Sequence, residues 1–106
     1  MIKKKKFILD ILKKSLIASC QPIPNGPMDK SSIILAMAKA SLIGGAKGLR
    51  IENQKNISLI KKNLKVPVIG IIKRNLKNYP IIITPYLSDI SVIAKAGADI
   101  IAFDAT

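Results

Sequence analysis

Apolar and polar positions follow two rhythms along the chain. Short apolar runs rich in β-branched residues, each ended by a polar side chain, are typical of buried strands in a parallel sheet. Between them lie stretches with apolar positions three and four residues apart, typical of amphipathic helices. The polar side chains that end the strands are 29, 23 and 31 residues apart, at Gln21, Arg50, Lys73 and Asp104. This succession predicts an α/β fold with about four parallel strands alternating with helices.

The elements follow in chain order. The spacing of Phe7, Ile8, Ile11 and Leu12 predicts an N-terminal helix over residues 2–14. Asp29 or Ser31 is predicted to cap the second helix, and Asn53 the third. The predicted strands cover residues 16–19, 48–51, 66–72 and 100–103, the later helices cover about 31–42, 53–64 and 87–96, and a further extended run covers 81–83.

Size and composition limit the class of protein. With 106 residues, 49% of them hydrophobic, the chain is predicted to be a single globular domain over residues 1–106. One cysteine, Cys20, cannot form an intrachain disulfide, which favours a reducing, cytoplasmic location. Without histidine the usual general base and the commonest metal ligand are missing, and the six carboxylates are scattered singly. No metal cluster is therefore visible in the sequence.

The N-terminal region has some features of a secretion signal. Lys3–Lys6 precede apolar residues, and small residues precede Cys20. However, Asp10, Lys13 and Lys14 interrupt the apolar segment of about 7–15 residues that a signal requires. No run approaches the ~20 apolar residues of a membrane span. The sequence therefore favours a protein that is not secreted and does not have a membrane as its partner.

The net charge of +12 raises nucleic-acid binding as an alternative function. Sixteen of the 18 basic residues are lysines, and there are only two tyrosines and two phenylalanines. Surfaces that read or stack on bases usually carry arginine and aromatic side chains. A nucleic-acid partner is therefore the less favoured interpretation.

Lys73 is the sharpest candidate for chemistry. The carboxyl ends of the strands in a β/α barrel converge on the active site, and Lys73 follows the most apolar strand. A lysine amine becomes available for proton transfer when burial or a neighbouring cation disfavours its charged form. The alternative is a lysine that leaves the core for solvent. Arg74, the next residue, should point the opposite way and is interpreted as structural.

The other strand ends carry candidate binding residues, each with an alternative role. Arg50 suits bidentate binding of a phosphate or carboxylate, or a surface ion pair with Glu52. Gln21 suits a hydrogen bond to a sugar hydroxyl or amide, or a capping role in its loop. Asp104 suits orientation of a substrate hydroxyl or of the lysine, or an N-cap for a following element. Cys20 is interpreted as a packing residue.

The same residues carry a family likeness. In order, the chain contains Ser19-Cys20-Gln21, the glycine-rich stretch ending at Arg50, the run from Val66 to Arg74, Ile83-Thr84-Pro85, and the stretch from Gly97 to Thr106. These motifs resemble the N-acylglucosamine-6-phosphate 2-epimerase family, also called N-acetylmannosamine-6-phosphate 2-epimerase. The likeness spans nearly the whole chain after the N-terminal lysines, but only the N-terminal half of such an enzyme. Tyr86 and Phe103 depart mildly from the family motifs.

The resemblance implies the N-terminal half of a (β/α)8 TIM barrel that interconverts N-acetylmannosamine 6-phosphate and N-acetylglucosamine 6-phosphate in amino sugar and sialic acid breakdown. It implies that Lys73 moves the proton at the sugar C2, that Gln21 and Arg50 bind substrate, and that no cofactor is used. Asp104 matches a family motif residue and is assigned to substrate binding. The expected partners are a phosphosugar and either a C-terminal half or a second copy. A non-catalytic half-barrel that binds phosphosugar or a partner remains the alternative.

Overall fold

The computed structural model describes residues 2–105, with side chains from Lys6 onward. Met1 and Thr106, which the predicted domain and final motif include, lie outside the described residues. Helices and strands alternate in this order: α1 (Ile2–Leu12), β1 (Ile17–Cys20), α2 (Ser31–Ile43), β2 (Gly48–Glu52), α3 (Gln54–Asn63), β3 (Val68–Ile71), α4 (Leu87–Ala96) and β4 (Ile100–Ile101). The strands form one parallel sheet in the order β1-β2-β3-β4, which confirms the predicted β/α repeat.

One face of the sheet packs against helices α2, α3 and α4. Leu49 and Ile51 of β2 and Val68 of β3 are fully buried there. Each such aliphatic side chain contributes roughly 1.5–3 kcal/mol by leaving water, so this layer holds the domain together. The cluster of buried side chains comprises Cys20, Ile34, Ala38, Leu49, Ile51, Ile57, Ile60, Val66, Val68 and Ile93.

Gly70 allows the helix layer to approach β3 closely. A Cβ at this position would lie 2.8 Å from Ala98 Cβ, 2.9 Å from Ile57 Cδ1, and closer still to Ile93. Real side chains do not tolerate such contacts, so only glycine fits between β3 and the helices α3 and α4. This contact identifies the face that Gly70 presents as the helix-covered one.

The opposite face of the sheet is called here the inner face, and every second strand residue points to it. Helix α1 covers the part of this face at the start of β2, where Leu12 lies in the space that a side chain at Gly48 would need. Successive side chains of a strand point to opposite faces, so Leu49 on the helix-covered face places Arg50 on the inner one. By this alternation the inner face carries Ile17, Ser19, Arg50, Glu52, Ile69 and Ile71.

Several predicted boundaries were wrong by one or two residues. Helix α1 ends at Leu12 rather than at residue 14, and Lys14 follows with a φ of 55°. β1 runs from Ile17 to Cys20, one residue later than expected. No helix in the described part of the chain is long and apolar enough to cross a membrane.

One predicted helix cap is confirmed and the other is wrong. The Asn53 side chain accepts from Asn56 N at 3.0 Å at the start of α3, as expected. At the start of α2 the N-cap position is occupied by Lys30, which makes no side-chain cap. Asp29 accepts instead from Asn25 N, and Ser31 Oγ donates to Asn56 Oδ1 at 2.8 Å, so both expected caps have other partners.

β4 is shorter than predicted because another segment takes its place beside β3. Direct pairing of β3 and β4 ends at Gly70 and Ile101, and beyond that point residues 82–84 lie between the two strand ends. This stretch is called here the inserted segment. It is hydrogen-bonded on one side to Ile72 and Arg74 and on the other to Ala102 and Asp104. The predicted extended run at 81–83 thus pairs at Ile83, in an antiparallel bridge with Lys73.

Candidate active site

Gln21 follows directly after β1 and Arg50 lies in the neighbouring β2, and alternation assigns both to the same face of the sheet. Ser19 of β1 lies opposite Arg50 of β2, and both point to the inner face. Cys20, the next residue, is buried on the helix-covered face. Gln21 therefore returns to the inner face at the end of β1, where its Nε2 donates to Ser19 Oγ at 2.5 Å. Because Ser19 points to the inner face, this hydrogen bond holds the Gln21 amide toward that face.

Arg50 lies inside β2 rather than at its end. The strand continues through Ile51 to Glu52, so the expectation that Arg50 ends the strand was wrong. The cause is the ladder with β3, which extends to the pair formed by Glu52 and Ile71. The ion pairs among side chains from Lys6 to Ala105 join Lys61 to Asp99 and Arg74 to Asp89. Within this range Arg50 therefore does not form the alternative ion pair with Glu52.

Lys73 lies two residues beyond the end of β3 and is exposed. Its neighbours fix its direction: Ile72 packs against the helix-side core, and the Arg74 side chain reaches Asp89 on α4. Alternation along this extended stretch places Lys73 on the inner face, two positions above Ile71. The backbone at Lys73 is held by the antiparallel bridge to Ile83.

Arg74 has the structural role that the sequence indicated. Its Nε and Nη2 donate to the two oxygens of Asp89 at 2.9 and 2.7 Å, and its guanidinium lies 5.3 Å from the ring centre of Tyr86. The Asp89 side chain is 2% exposed and the Arg74 side chain 45%. Hydrogen bonds from Arg74 hold the pKa of the Asp89 carboxyl below its usual value. The pair connects the segment after Lys73 to the first turn of α4.

Asp104 is engaged with the backbone of the inserted segment. Its Oδ2 accepts from Ile82 N at 2.8 Å and from Ile83 N at 2.9 Å, and its own N–H donates to Ile83 O at 3.0 Å. The two amide donors, first Ile83 and then Ile82, lower the pKa of the Asp104 carboxyl. An ionised carboxylate is therefore favoured here, and it lies on the far side of the inserted segment from Lys73.

Two polar residues at this edge, Glu52 and Thr84, were named in the sequence analysis but not as candidate site residues. Glu52 ends β2 on the same face as Arg50, and the spacing of two residues would have revealed it. Thr84 is 3% exposed and has a φ of 46°, which is rare for a β-branched residue. Its Oγ1 donates to Ala102 O at 2.7 Å and accepts from Ile72 N at 3.3 Å. No local pattern indicates this role, because both partners are distant in sequence.

Other candidate chemistry is weaker. Cys20 packs in the core, and burial raises the pKa of its thiol, so it is protonated as a packing residue would be. The described residues contain no group of three or more side chains suited to hold a metal ion. Lysines are spread over all four helices, including Lys39 on α2, Lys62 on α3 and Lys95 on α4. Nucleic-acid binding as an alternative function therefore still rests on the net charge alone.

Four consecutive parallel strands in the order β1-β2-β3-β4, with helices α2, α3 and α4 on one face, define the class: part of a β/α barrel. Residues 34–106 match the family NanE, described as "Putative N-acetylmannosamine-6-phosphate epimerase". The chain belongs to this family. The resemblance noted in the sequence is thereby confirmed.

Individual relatives agree. The chain is 57% identical over 102 residues to a "Putative N-acetylmannosamine-6-phosphate 2-epimerase" of Glaesserella parasuis, covering 96% of this chain and 44% of the relative. It is 56% identical over 99 residues to that of Pasteurella multocida, covering 93% and 43%. The N-acetylmannosamine-6-phosphate 2-epimerase structure from Clostridium perfringens superposes with a TM-score of 0.87 at 39% identity, covering 92% of this chain and 42% of that one.

The coverage defines how much of the fold is present. The chain spans less than half the length of the curated relatives that it matches. Together with the four-stranded parallel sheet, this confirms a half-barrel as the fold.

Proposed function

We propose that the chain supplies the lysine-bearing half of an enzyme that interconverts N-acetylmannosamine 6-phosphate and N-acetylglucosamine 6-phosphate. The observation that carries the proposal is that Lys73 lies two residues beyond β3, bridged to Ile83, in a chain of this epimerase family. Alternation from Ile71 assigns its side chain to the inner face. Lys73 is assigned as the catalytic residue, and Gln21 and Arg50 as substrate-binding residues.

The chemistry requires one proton to leave C2 and one to return to the opposite face. In the open-chain sugar, C2 is next to the C1 carbonyl, so the electron pair of the broken C–H bond moves into an enolate. In the proposed step Lys73 accepts the C2 proton, and an acid on the opposite side of C2, supplied by the remaining part of the barrel, returns a proton to that face and gives the epimer. The carbonyl itself accepts the electrons, so the proposed reaction uses no cofactor.

The neighbouring side chains suit the remaining groups of the substrate. Arg50 carries a planar array of donors that matches a phosphate or a carboxylate. The Gln21 amide offers both a donor and an acceptor for a sugar hydroxyl or the N-acetyl group. Asp104 was assigned to substrate binding from the sequence, and its two hydrogen bonds to backbone amides favour an indirect role, argued below.

The proposal includes partners and location. A parallel sheet of four strands gives half of the ring of strand ends that surrounds a barrel site, so the remainder of a barrel, or a second copy of this chain, is expected to complete it. The single buried cysteine favours a cytoplasmic location.

The test uses a completed barrel, in which this chain is followed in one polypeptide by the remaining part of the Glaesserella parasuis relative. Exchange of the C2 proton with deuterated solvent is followed by NMR. Lys73→Ala should lower the exchange rate by about 10²–10⁴-fold while the sugar phosphate still binds. Lys95→Ala, on the exposed side of α4, is the matched control and should leave the rate unchanged.

Two results would contradict the proposal. A Lys73→Ala variant that keeps most of the exchange rate would assign proton transfer to another group. A completed barrel that binds the sugar phosphate but does not exchange its C2 proton would favour the alternative of a non-catalytic half-barrel.

A further inference from the structure

We propose that Asp104 is a positioning residue for Lys73 and that it acts through the backbone of the inserted segment rather than by touching substrate. The inference rests on the proposed function, because it takes Lys73 as the proton-transfer group. It explains why a carboxylate at the end of β4 is engaged with main-chain amides on the side of the inserted segment away from the lysine.

The connection is a continuous series of hydrogen bonds across three strands of chain. Asp104 Oδ2 binds the amides of Ile82 and Ile83, and Asp104 N donates to Ile83 O. Ile83 is in turn the antiparallel bridge partner of Lys73. On that side Arg74 N donates to Ile82 O at 2.9 Å. The Lys73 backbone is therefore tied to β4 through residues 82 and 83.

The tie is needed because the regular ladder stops before Lys73. The last β3–β4 pair joins Gly70 to Ile101, and Ala102 N then donates to Gly70 O at 3.2 Å. Beyond this point, among the described residues, the inserted segment lies between the two strand ends and is hydrogen-bonded to both. Lys73 thus stands on a part of the chain whose position depends on residues 82–84.

The carboxylate suits this task for a chemical reason. One oxygen receives two N–H groups from consecutive residues, which is a charge-assisted arrangement stronger than a pair of neutral hydrogen bonds. The pKa of Asp104 lies below its usual value, so the ionised acceptor is present at neutral pH. Thr84 completes the attachment by joining Ile72 N and Ala102 O through its hydroxyl.

A small displacement of Lys73 would be costly to the reaction. Proton transfer requires the amine within hydrogen-bond reach of the C2 proton, and misplacement by about 1 Å can cost ~10²-fold in rate. Loss of the Asp104 carboxylate should therefore lower kcat rather than weaken substrate binding. If Asp104 bound substrate directly, its removal would instead raise KM. If its charge acted on the substrate, asparagine would not replace it.

The experiment compares Asp104→Ala, Asp104→Asn and Asp10→Asn in the completed barrel, by epimerisation kinetics and by amide hydrogen exchange at residues 82 and 83. Asp10 is an exposed aspartate on α1 and serves as the matched control. Asp104→Ala should lower kcat by about 10–100-fold with KM changed by less than about threefold. The amides of Ile82 and Ile83 should exchange about tenfold faster or more. Asp104→Asn keeps an acceptor oxygen, so kcat should stay within about fivefold and both amides should stay protected.

The outcomes separate this inference from the proposed function. If Asp104→Asn loses as much kcat as Lys73→Ala while both amides stay protected, Asp104 acts on the substrate and the inference is wrong. Faster amide exchange in Asp104→Ala without loss of kcat also overturns it. If Asp104→Ala does not fold, the kcat and amide protection of Asp104→Asn decide between the two roles. Retention of exchange by Lys73→Ala in the same preparation refutes the proposed function instead.

Discussion

Arg74 and Asp89 form a bidentate ion pair between the chain after β3 and the first turn of α4, with donor–acceptor distances of 2.9 and 2.7 Å. Asp89 also lies at hydrogen-bond distance from Tyr86 N, at 3.4 Å. Arg74, just before the loop at 75–81, and Tyr86, at the start of α4, are thus attached to the same carboxylate. Lys73 is the residue before Arg74. The ion pair therefore holds the chain next to Lys73 against α4, on the helix-covered side of the sheet.

We expect Asp89→Asn to destabilise the domain. The variant keeps the size of the side chain but leaves the guanidinium without its charged partner and a buried amide with poorer hydrogen bonds, a change of about 1–3 kcal/mol. Urea unfolding followed by circular dichroism gives the free energy of unfolding. Asp10→Asn, on the exposed surface of α1, is the control. Equal stability of the two variants would show that the pair adds nothing to folding.

The same pair predicts a dependence of stability on pH. Asp89 and Asp104 have folded-state pKa values below those of an unfolded aspartate, which lies near ~3.9. Their contribution is therefore fully present above about pH 5 and is lost as pH falls through the lower folded-state values. Thermal unfolding between pH 7 and pH 3 should show a steep loss in the wild type. The loss should be shallower in the Asp89→Asn and Asp104→Asn variants, and parallel curves would contradict this assignment.

Gly70→Ala should destabilise the sheet by overpacking. The new Cβ would contact Ile57, Ile93 and Ala98 at less than ordinary distances, and such insertions cost about 1–3 kcal/mol. Gly44→Ala is the matched control, because its Cβ would meet backbone oxygens at 3.5 Å and its φ of −73° is ordinary for alanine. That variant should be neutral or slightly more stable. A neutral Gly70→Ala in chemical denaturation would mean that the helix layer can shift outward.

The chain alone should be a very poor epimerase and should associate. In the described residues β1 pairs with β2 and β4 pairs with β3, so each outer strand presents an edge. Leu16, Ile17 and Phe103 add exposed apolar surface near these edges, with 64%, 39% and 58% of each residue accessible. Light scattering should give a mass above that of a monomer. Ile17→Lys, on the inner face, should reduce association without changing the circular dichroism spectrum.

A monomeric preparation that turns over at the rate of the completed barrel would contradict this expectation. Soluble oligomers with measurable activity would indicate that two copies can surround one substrate, with a Lys73 from each.

Much of the fold was predictable because the spacing of apolar residues along each segment indicates its secondary structure. The apolar runs and helical stripes placed all four strands and helices within a few residues, and Asn53 was recognised as a cap from its position alone. The end of β4 was not predictable, because it is set by an antiparallel bridge between Lys73 and Ile83 that arises from tertiary structure. Arg50 was wrongly predicted to end its strand for the same reason. The length of β2 depends on its pairing with β3, which residues 48–52 alone do not indicate.

The candidate site divides in the same way. Alternation along the β/α strands is enough to predict that Gln21, Arg50 and Lys73 share one face, and the register of β1, β2 and β3 is compatible with that grouping. The partners of Asp104 are 21 and 22 residues away in sequence, and a carboxylate bound to backbone amides has no side-chain signature. Sequence reasoning could therefore identify Asp104 as notable without identifying what it contacts.

The hydrogen bond from Arg74 N to Ile82 O closes the base of the loop at residues 75–81, so everything beyond it is a surface excursion with fixed ends. Doubling the length of such a loop adds only about 0.6 kcal/mol of closure entropy. Insertions, deletions and substitutions can accumulate there at little energetic cost, beside the carboxyl edge of the sheet. Evolution can thus remodel this loop while Lys73, at its base, keeps its place.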